Sequence, residues 1–599
     1  TLTNYGTISV SAAGTITNIG TFNNTKTSET INASFSIVGT FNNQDSGTIV
    51  NTGNMINEVS GTITNPGTID NRSSITNNAV INTTGTLLNT ADGLINNNLT
   101  LNNNTNGTIT NLGTISNNIG STIGNTGTMN NTGNIYILSS SSLTNDNTYK
   151  NLVSGINYGS LTIRGTMTNN NLLSNKGRIN VLIGTLTNTS IFNNDSLLIA
   201  NGTVKLMKTS NLTNSKNIKI YKVLKNYGSI TNNSSFLSFD SSTLENYNSI
   251  TNSSEGTINI RNTFKNKGLN ATNSDSVDLA GIKGDINNNG TIVNELNTFT
   301  NTGILTNNTT GTFTNNQTVI NSANGVITNK NTFTNNSTTT NNGEIVNYVN
   351  KTIANNHTFI NNQIVNNAGI INNVHTIGII TNNLTFNNKS SAVFNNYGTL
   401  TVAQAGTLTN IGALNNTKTS NSINAIFNII GNLNNQDSGT IINTGNIENK
   451  TGGTITNPGI LDNRLSLINN ATINTTGSLL NKATGTLTNN VTINNNTGGT
   501  LDNDGTFTIV YAALLNNHAT VINDSLLIGL GTIKNYKTGT ITNNDELQIK
   551  RILKNYGTVT NNKTLKTYDS TILENYNLLT NASEGSIETN NGFINNKLN

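Results

Sequence analysis

Residues 47–69 read Gly-Thr-Ile-Val-Asn-Thr-Gly-Asn-Met-Ile-Asn-Glu-Val-Ser-Gly-Thr-Ile-Thr-Asn-Pro-Gly-Thr-Ile. One apolar residue recurs every six or seven positions, typically with Gly-Thr before it and Asn two places after it, as in Gly61-Thr62-Ile63-Thr64-Asn65. The rhythm continues to Ile119 and sorts the apolar residues into three columns. Ile49, Ile69, Leu88 and Ile109 form the first; Ile56, Ile75, Ile95 and Ile115 the second; Ile63, Ile81 and Leu101 the third. Members of a column lie about 20 residues apart, and a fixed period of that size marks a solenoid. Three short strands per turn, each turning one apolar residue inward, make a coil; stacked coils bury a continuous aliphatic column. The fold expected is all-β: an elongated parallel β-helix with three short strands and about 20–21 residues per coil.

Working outward, Thr62-Ile63-Thr64 alternates in the two-residue period of a strand, Ile inward and both Thr outward. The following Asn is expected at a corner, because Asn tolerates the left-handed conformation and bonds its own backbone. Asparagines stacked at one corner are expected to form amide ladders of the cross-β kind. At roughly 4.8 Å per coil, about 30 coils give a rod on the order of 140 Å.

A longer repeat overlies the coil repeat. GTITNIG (14–20) returns as GTLTNIG (406–412), QDSGTIVNTGN (44–54) as QDSGTIINTGN (436–446), and GTITNPG (61–67) unchanged at 453–459. All are offset by 392 residues. NDSLLI (194–199), LKNYG (224–228) and LENYN (244–248) return at an offset of 329. The second copy therefore lacks 63 residues, close to three whole coils. Residues 1–392 are read as a first long β-helix unit and 393–599 as a second, truncated copy continuous with it. The chain opens inside a repeat, as a slice of a longer protein would. Residues 134–160 and 200–270 loosen the rhythm and are expected to be coils with wider turns.

Composition narrows the class. Charge is 10% and net charge +4, too low for a disordered polyelectrolyte and too near neutral for a chain whose main partner is nucleic acid. Two prolines exclude a polyproline or collagen rod. With no cysteine, disulfides and thiolate metal sites are impossible. No run of about 18 apolar residues is present to span a membrane as a helix.

Candidate chemistry is sparse. Glycosidase-type catalysis needs carboxylates converging on one cleft. The nearest acidic clusters are Asp275 with Asp278 and Asp545 with Glu546; His357, His375 and His518 stand apart from any Ser or Asp arrangement. Solvated surface is the better reading of all of them, so no catalytic residue and no cofactor is assigned. Asp285-Ile-Asn287-Asn-Asn289-Gly290 matches the first half of an EF-hand loop, but Leu296 stands where the bidentate Glu belongs and Glu295 is one place short. Asp285, Asn287 and Asn289 remain as a calcium candidate. Lys216, Lys219, Lys222 and Lys225, with Lys550, Arg551 and Lys554 in the second copy, read as cations that blunt exposed strands, or as a band for anionic glycans. Sequons at Asn32, Asn71, Asn82 and Asn98 make the chain a candidate glycoprotein if it is exported.

The NxGTIxN pattern resembles the haemagglutinin-type repeats of filamentous adhesins and the Asn/Thr-rich surface proteins of microbes. The resemblance spans nearly the whole chain and implies a right-handed β-helix, exported to the cell surface for attachment or as a fibre. It transfers no catalytic residue. The expected function is a non-enzymatic extracellular or cell-surface structural protein: adhesin, stalk or filament subunit, associating with itself end to end or laterally and possible contacts being cell-surface glycans, with no nucleic acid and no membrane span. The alternatives are a glycan-binding or glycan-cleaving viral or bacterial spike, which would show recurring acids and aromatics along one groove, and an ice-binding solenoid, which would show a flat Thr-x-Thr face. The structural reading expects neither.

Overall fold

In a computed structural model the chain folds into short strands joined by turns. The structure describes all residues except 29–31, 155–156, 262, 267–283, 297, 375–376, 419–423, 591 and 597–599, and the described residues contain no helix. Two compact units, Thr1–Ile304 and Leu305–Asn599, divide the chain at a place other than the sequence repeat at residue 392. Each unit is a parallel β-solenoid with three strands per coil. In the first, Thr48–Asn51, Asn54–Asn57 and Thr62–Asn65 make one coil, and Thr68–Asn71 opens the next, pairing in parallel with Thr48–Asn51 so that Ile69 lies over Ile49.

A common strand has four residues, the first and third outward, the second and fourth inward. The turns have two residues, as at Thr52–Gly53, or four, as at Glu58–Gly61. Twelve strand residues and three short turns give the 18-residue separation of Asn71 and Asn89; each four-residue turn adds two, giving 20 for Asn51 to Asn71 and 22 for Asn89 to Asn111. The period of 20–21 averages over such steps and over odd ones, as the 19 from Asn175 to Asn194.

Position within the strand fixes the facing, and two column assignments are corrected by it. Leu88 points outward; Leu87, between Ile69 and Ile109, is the buried residue. Ile56 likewise points outward, and Met55 lies against Ile75 in the core. Ile49, Ile69, Ile109, Ile75, Ile95, Ile115, Ile63, Ile81 and Leu101 are all buried. Each such side chain contributes about 1.5–3 kcal/mol.

The fourth residue of the strand is where sequence and structure part most. It is usually Asn, and it is neither at an exposed corner nor left-handed: Asn51, Asn71 and Asn89 are wholly buried. Positive φ falls instead in four-residue turns, at Asn106 and Asn350 among others. In the first unit an unbroken ladder runs through Asn4, 24, 51, 71, 89, 111, 131, 151, 175, 194, 214, 232, 252 and 288, each Nδ2 donating to the next Oδ1 at 2.7–2.9 Å. The second Nδ2 proton reaches a backbone carbonyl one coil on, as from Asn51 to Ser74 at 2.9 Å. The second unit carries a matching ladder from Asn315 to Asn581.

Close stacking also explains a Gly before Thr where a coil precedes it, as at Gly67. A Cβ on Gly67 would come within 2.2 Å of the Gln44 carbonyl oxygen and 2.3 Å of that of Gly47. The 63-residue difference between the copies resolves into strands as well. From Thr108 to Leu197 the chain takes thirteen coil-strand steps, and between their equivalents Thr500 and Leu526 it takes four. The nine missing strands are three coils, so inward residues stay inward. Near 134–160 the departure from rhythm is an antiparallel pair, Val153–Ser154 with Asn157–Tyr158, inserted between the coil strands Thr148–Asn151 and Ser160–Ile163; of residues 200–270, 262 and 267–270 lie outside the described residues and the others run as ordinary coil strands and turns.

Candidate interaction surfaces

With apolar side chains and amides turned inward, chemistry is left to the outward positions and the turns. Asp275, Asp278 and His375 lie outside the described residues. His357 contacts the Thr358 hydroxyl at 3.0 Å and His518 stacks on Tyr536, centroids 3.9 Å apart; among the described residues neither is hydrogen-bonded to a carboxylate. Asp545 is taken by Lys563, and Glu546 accepts from Gln548 Nε2 at 2.8 Å.

The calcium candidate is taken apart by the fold. An EF-hand half-loop must curl its alternate residues around one point. Asp285–Asn288 is instead an extended strand, in register with Ser249–Asn252, with Ile286 and Asn288 inward. A different acidic group, which linear spacing could not suggest, is assembled across coils: Asp502, Asp504 and Asp524 bring one ligand atom each within 4.8 Å of the others. Lys482 Nζ already sits 3.0 Å from Asp504 and 3.5 Å from Asp502. Burial, then the neighbouring Asp504 charge, raises the Asp502 carboxyl above its ordinary value, while Asp504 raises Lys482.

The four sequons differ in access. Asn71 is a buried ladder residue whose amide donates to Asn89 Oδ1 at 2.7 Å, so the folded chain offers no acceptor there. Asn82 is half-buried and accepts from Asn102 at 2.9 Å; Asn32 and Asn98 are exposed. Asn98 also belongs to a surface ladder, donating to Asn78 and accepting from Asn118. Threonine fills the first outward position at 48, 68, 86, 108, 128 and 148, but the third holds Val50, Asp70, Leu88, Thr110, Asn130 and Lys150. That face is therefore not a flat Thr-x-Thr plane.

The lysines do not line one strand. Lys219 is on Asn217–Ile220 and Lys225 on Val223–Asn226, which belong to different faces, with Lys216 and Lys222 in the turns before them. In the second copy Lys550 and Arg551 occupy a turn and Lys554 lies on Ile552–Asn555. There aromatics recur beside the cations. Tyr556 and Tyr576 stack at 4.7 Å and 8°, Arg551 lies 4.5 Å from the Tyr511 ring centroid, and Lys550 lies 4.7 Å from that of Tyr568. Tyr576 donates to Glu574 at 2.9 Å and Lys554 approaches it at 3.2 Å; the phenol donor first, then the lysine, lowers the Glu574 carboxyl. Aromatics recur on this face, but the charge that recurs beside them is basic, not the acids that the spike alternative would need. Tyr227 and Tyr247, the equivalents of Tyr556 and Tyr576, are buried.

No protein-family model matches the chain. No curated protein aligns with it significantly.

Proposed function

We propose that this is a non-enzymatic structural repeat protein of the cell exterior, serving as a stalk, adhesin shaft or filament subunit. The observation that supports the reading is the pair of unbroken asparagine ladders, one per unit, which bond each coil to the next inside the core. Such bonds lie along the stacking direction and reinforce the strand ladders against separation of coils. Enzymes built on solenoids need a converging set of acids, and the described acids are individually committed to lysine, arginine or amide partners where they cluster. Self-association, end to end or side by side, fits a low-charge surface rich in Thr and Asn.

Immuno-electron microscopy of the producing cells tests this. Label on rods or fibres outside the cell is the expected result. Label confined to the cell interior overturns it.

A further inference from the structure

We infer that the second unit carries a lateral binding groove for a linear acidic polysaccharide, between Tyr511 and Tyr576. The inference does not depend on whether the chain is a stalk or a filament. The groove, about 660 Å³, lies along the outward side of Leu514–Asn517, Thr532–Asn535 and Ile552–Asn555, strands of three successive coils. Its floor is apolar where Leu514, Thr532 and Ile552 stack in the first outward position. Lys534 and Lys554 follow in the third, one coil apart, and Tyr536, Lys537 and Tyr556 form the rim.

Three features select the ligand. First, the charge is mainly basic: Lys534, Lys537, Lys550, Arg551 and Lys554 border this face against Asp569 and Glu574, Lys534 and Lys537 have no carboxylate partner among the described residues, and Glu574 is held by Tyr576 and Lys554. Asp545 and Glu546 begin the opposite corner of the coil, between the other two faces. Second, tyrosine beside an apolar floor suits the C–H faces of pyranose rings, and ammonium groups suit the carboxylates or sulfates projecting from them; a compact inorganic anion would use only the latter. Third, the bases repeat at the coil spacing of about 4.8 Å, close to the length of one sugar residue in an extended chain, whereas nucleic-acid phosphates rise about 3.4 Å per strand in a duplex. In the first copy Tyr227 and Tyr247, the equivalents of Tyr556 and Tyr576, are buried and Met207 stands where the second copy has Tyr536, so the groove belongs to the second.

The test is binding of the purified full chain to immobilised polygalacturonate, hyaluronate and heparin, with dextran as the neutral control and single-stranded DNA as competitor. Binding to at least one acidic glycan, weakened by salt and absent on dextran, is expected. The double variants Lys534→Glu/Lys537→Glu and Tyr536→Ala/Tyr556→Ala are each expected to lose tenfold or more in affinity with unchanged circular dichroism. The corresponding charge reversal Lys205→Glu/Lys208→Glu in the first copy is expected to leave affinity within twofold. Failure to bind all three glycans overturns the proposal. So does loss on lysine replacement but not on tyrosine replacement, which is diffuse charge adsorption, and so does DNA that binds as tightly as the best glycan. If either groove variant loses its fold, the single variants Lys537→Glu and Tyr556→Ala, both exposed, carry the same expectation at threefold or more.

Discussion

Thr83 sits in a ladder between Asn65 and Asn103 and breaks it. Its hydroxyl accepts from Asn65 Nδ2 at 3.0 Å but gives its own proton to the Asn65 carbonyl at 3.1 Å, and Asn103 Oδ1 is left buried without a donor. The second copy repeats the arrangement, Thr475 taking the amide of Asn457 and leaving Asn495 Oδ1 bare. Asn57 and Asn449, further ladder residues with a bare Oδ1, follow Ile37 and Ile429 one coil earlier. Every such orphan begins a ladder, as one-way donation requires. Replacing Thr83 or Thr475 by Asn is expected to supply the missing donor and stabilise the chain by about 1 kcal/mol, read as a higher denaturant midpoint. An unchanged or lower midpoint counts against the one-way ladder.

Removing a rung should cost more. Asn111→Ala strands the Asn89 amide and the Asn131 carbonyl oxygen, both buried, and is expected to destabilise by about 2–4 kcal/mol. Asn98→Ala, on an exposed ladder, is expected to change stability by no more than about 0.5 kcal/mol. Hydrogen exchange around residues 89–131 separates the two, with faster exchange expected only for the first.

The glycines divide in the same manner. Gly67→Ala drives a methyl into two carbonyl oxygens of the coil before it and is expected to prevent local stacking or shift it by more than about 3 kcal/mol. Gly6 and Gly20 have nothing within 4 Å of an added Cβ, and alanine there is expected to be neutral. Limited proteolysis of the three variants gives the comparison; early cleavage near residue 67 in Gly67→Ala alone is the expected outcome.

Glu574 supplies a pH dependence. Its carboxyl is lowered, chiefly by the Tyr576 phenol and then by Lys554. A group with a depressed folded value contributes stability above its unfolded value and loses it as pH falls through the folded one. Tyr576→Phe removes the larger cause, so that contribution shrinks and its acid loss moves to higher pH. Unfolding midpoints followed from neutral pH into the acid range test this; superimposable profiles for the two proteins refute it.

Sequon use follows burial. In a glycosylating host, mass spectrometry of the folded product is expected to find Asn71 unmodified and any glycan among these four sites at Asn32 or Asn98. Glycan on Asn71 would require a ladder that forms late or not at all.

Much of this architecture was legible in the sequence because the coil repeats a single alternation of apolar and polar residues. Ile49, Ile69 and Ile109 are where the Gly-Thr-Ile-x-Asn pattern puts them. Leu88 and Ile56 were misassigned where two apolar residues adjoin, Leu87-Leu88 and Met55-Ile56, so that hydrophobicity alone cannot choose the facing. Counting strand residues back from the terminal Asn would have chosen correctly. That Asn reads as a corner because polar residues are expected outside; only stacked neighbours, invisible in one coil, make its burial favourable. Arg551 over Tyr511 and Lys482 among Asp502 and Asp504 join residues 40 and about 20 positions apart, which coil stacking but no local motif brings together.

The core ladders all donate in one direction, toward higher residue numbers, whereas the surface ladders donate the other way and several finish on an acid: Asn490 to Asn470 to Glu448, Asn562 to Asn544 to Asp524, Asn387 to Asn366 to Glu344. Each unit is thereby wired like a coaxial cable, with aligned amide dipoles in the centre and a partial return on the sheath. The inner conductor has its positive end at higher residue numbers, the reverse of a peptide helix, whose N-terminus is positive. The carboxylates close the outer circuit where its own donors would otherwise run out of acceptors.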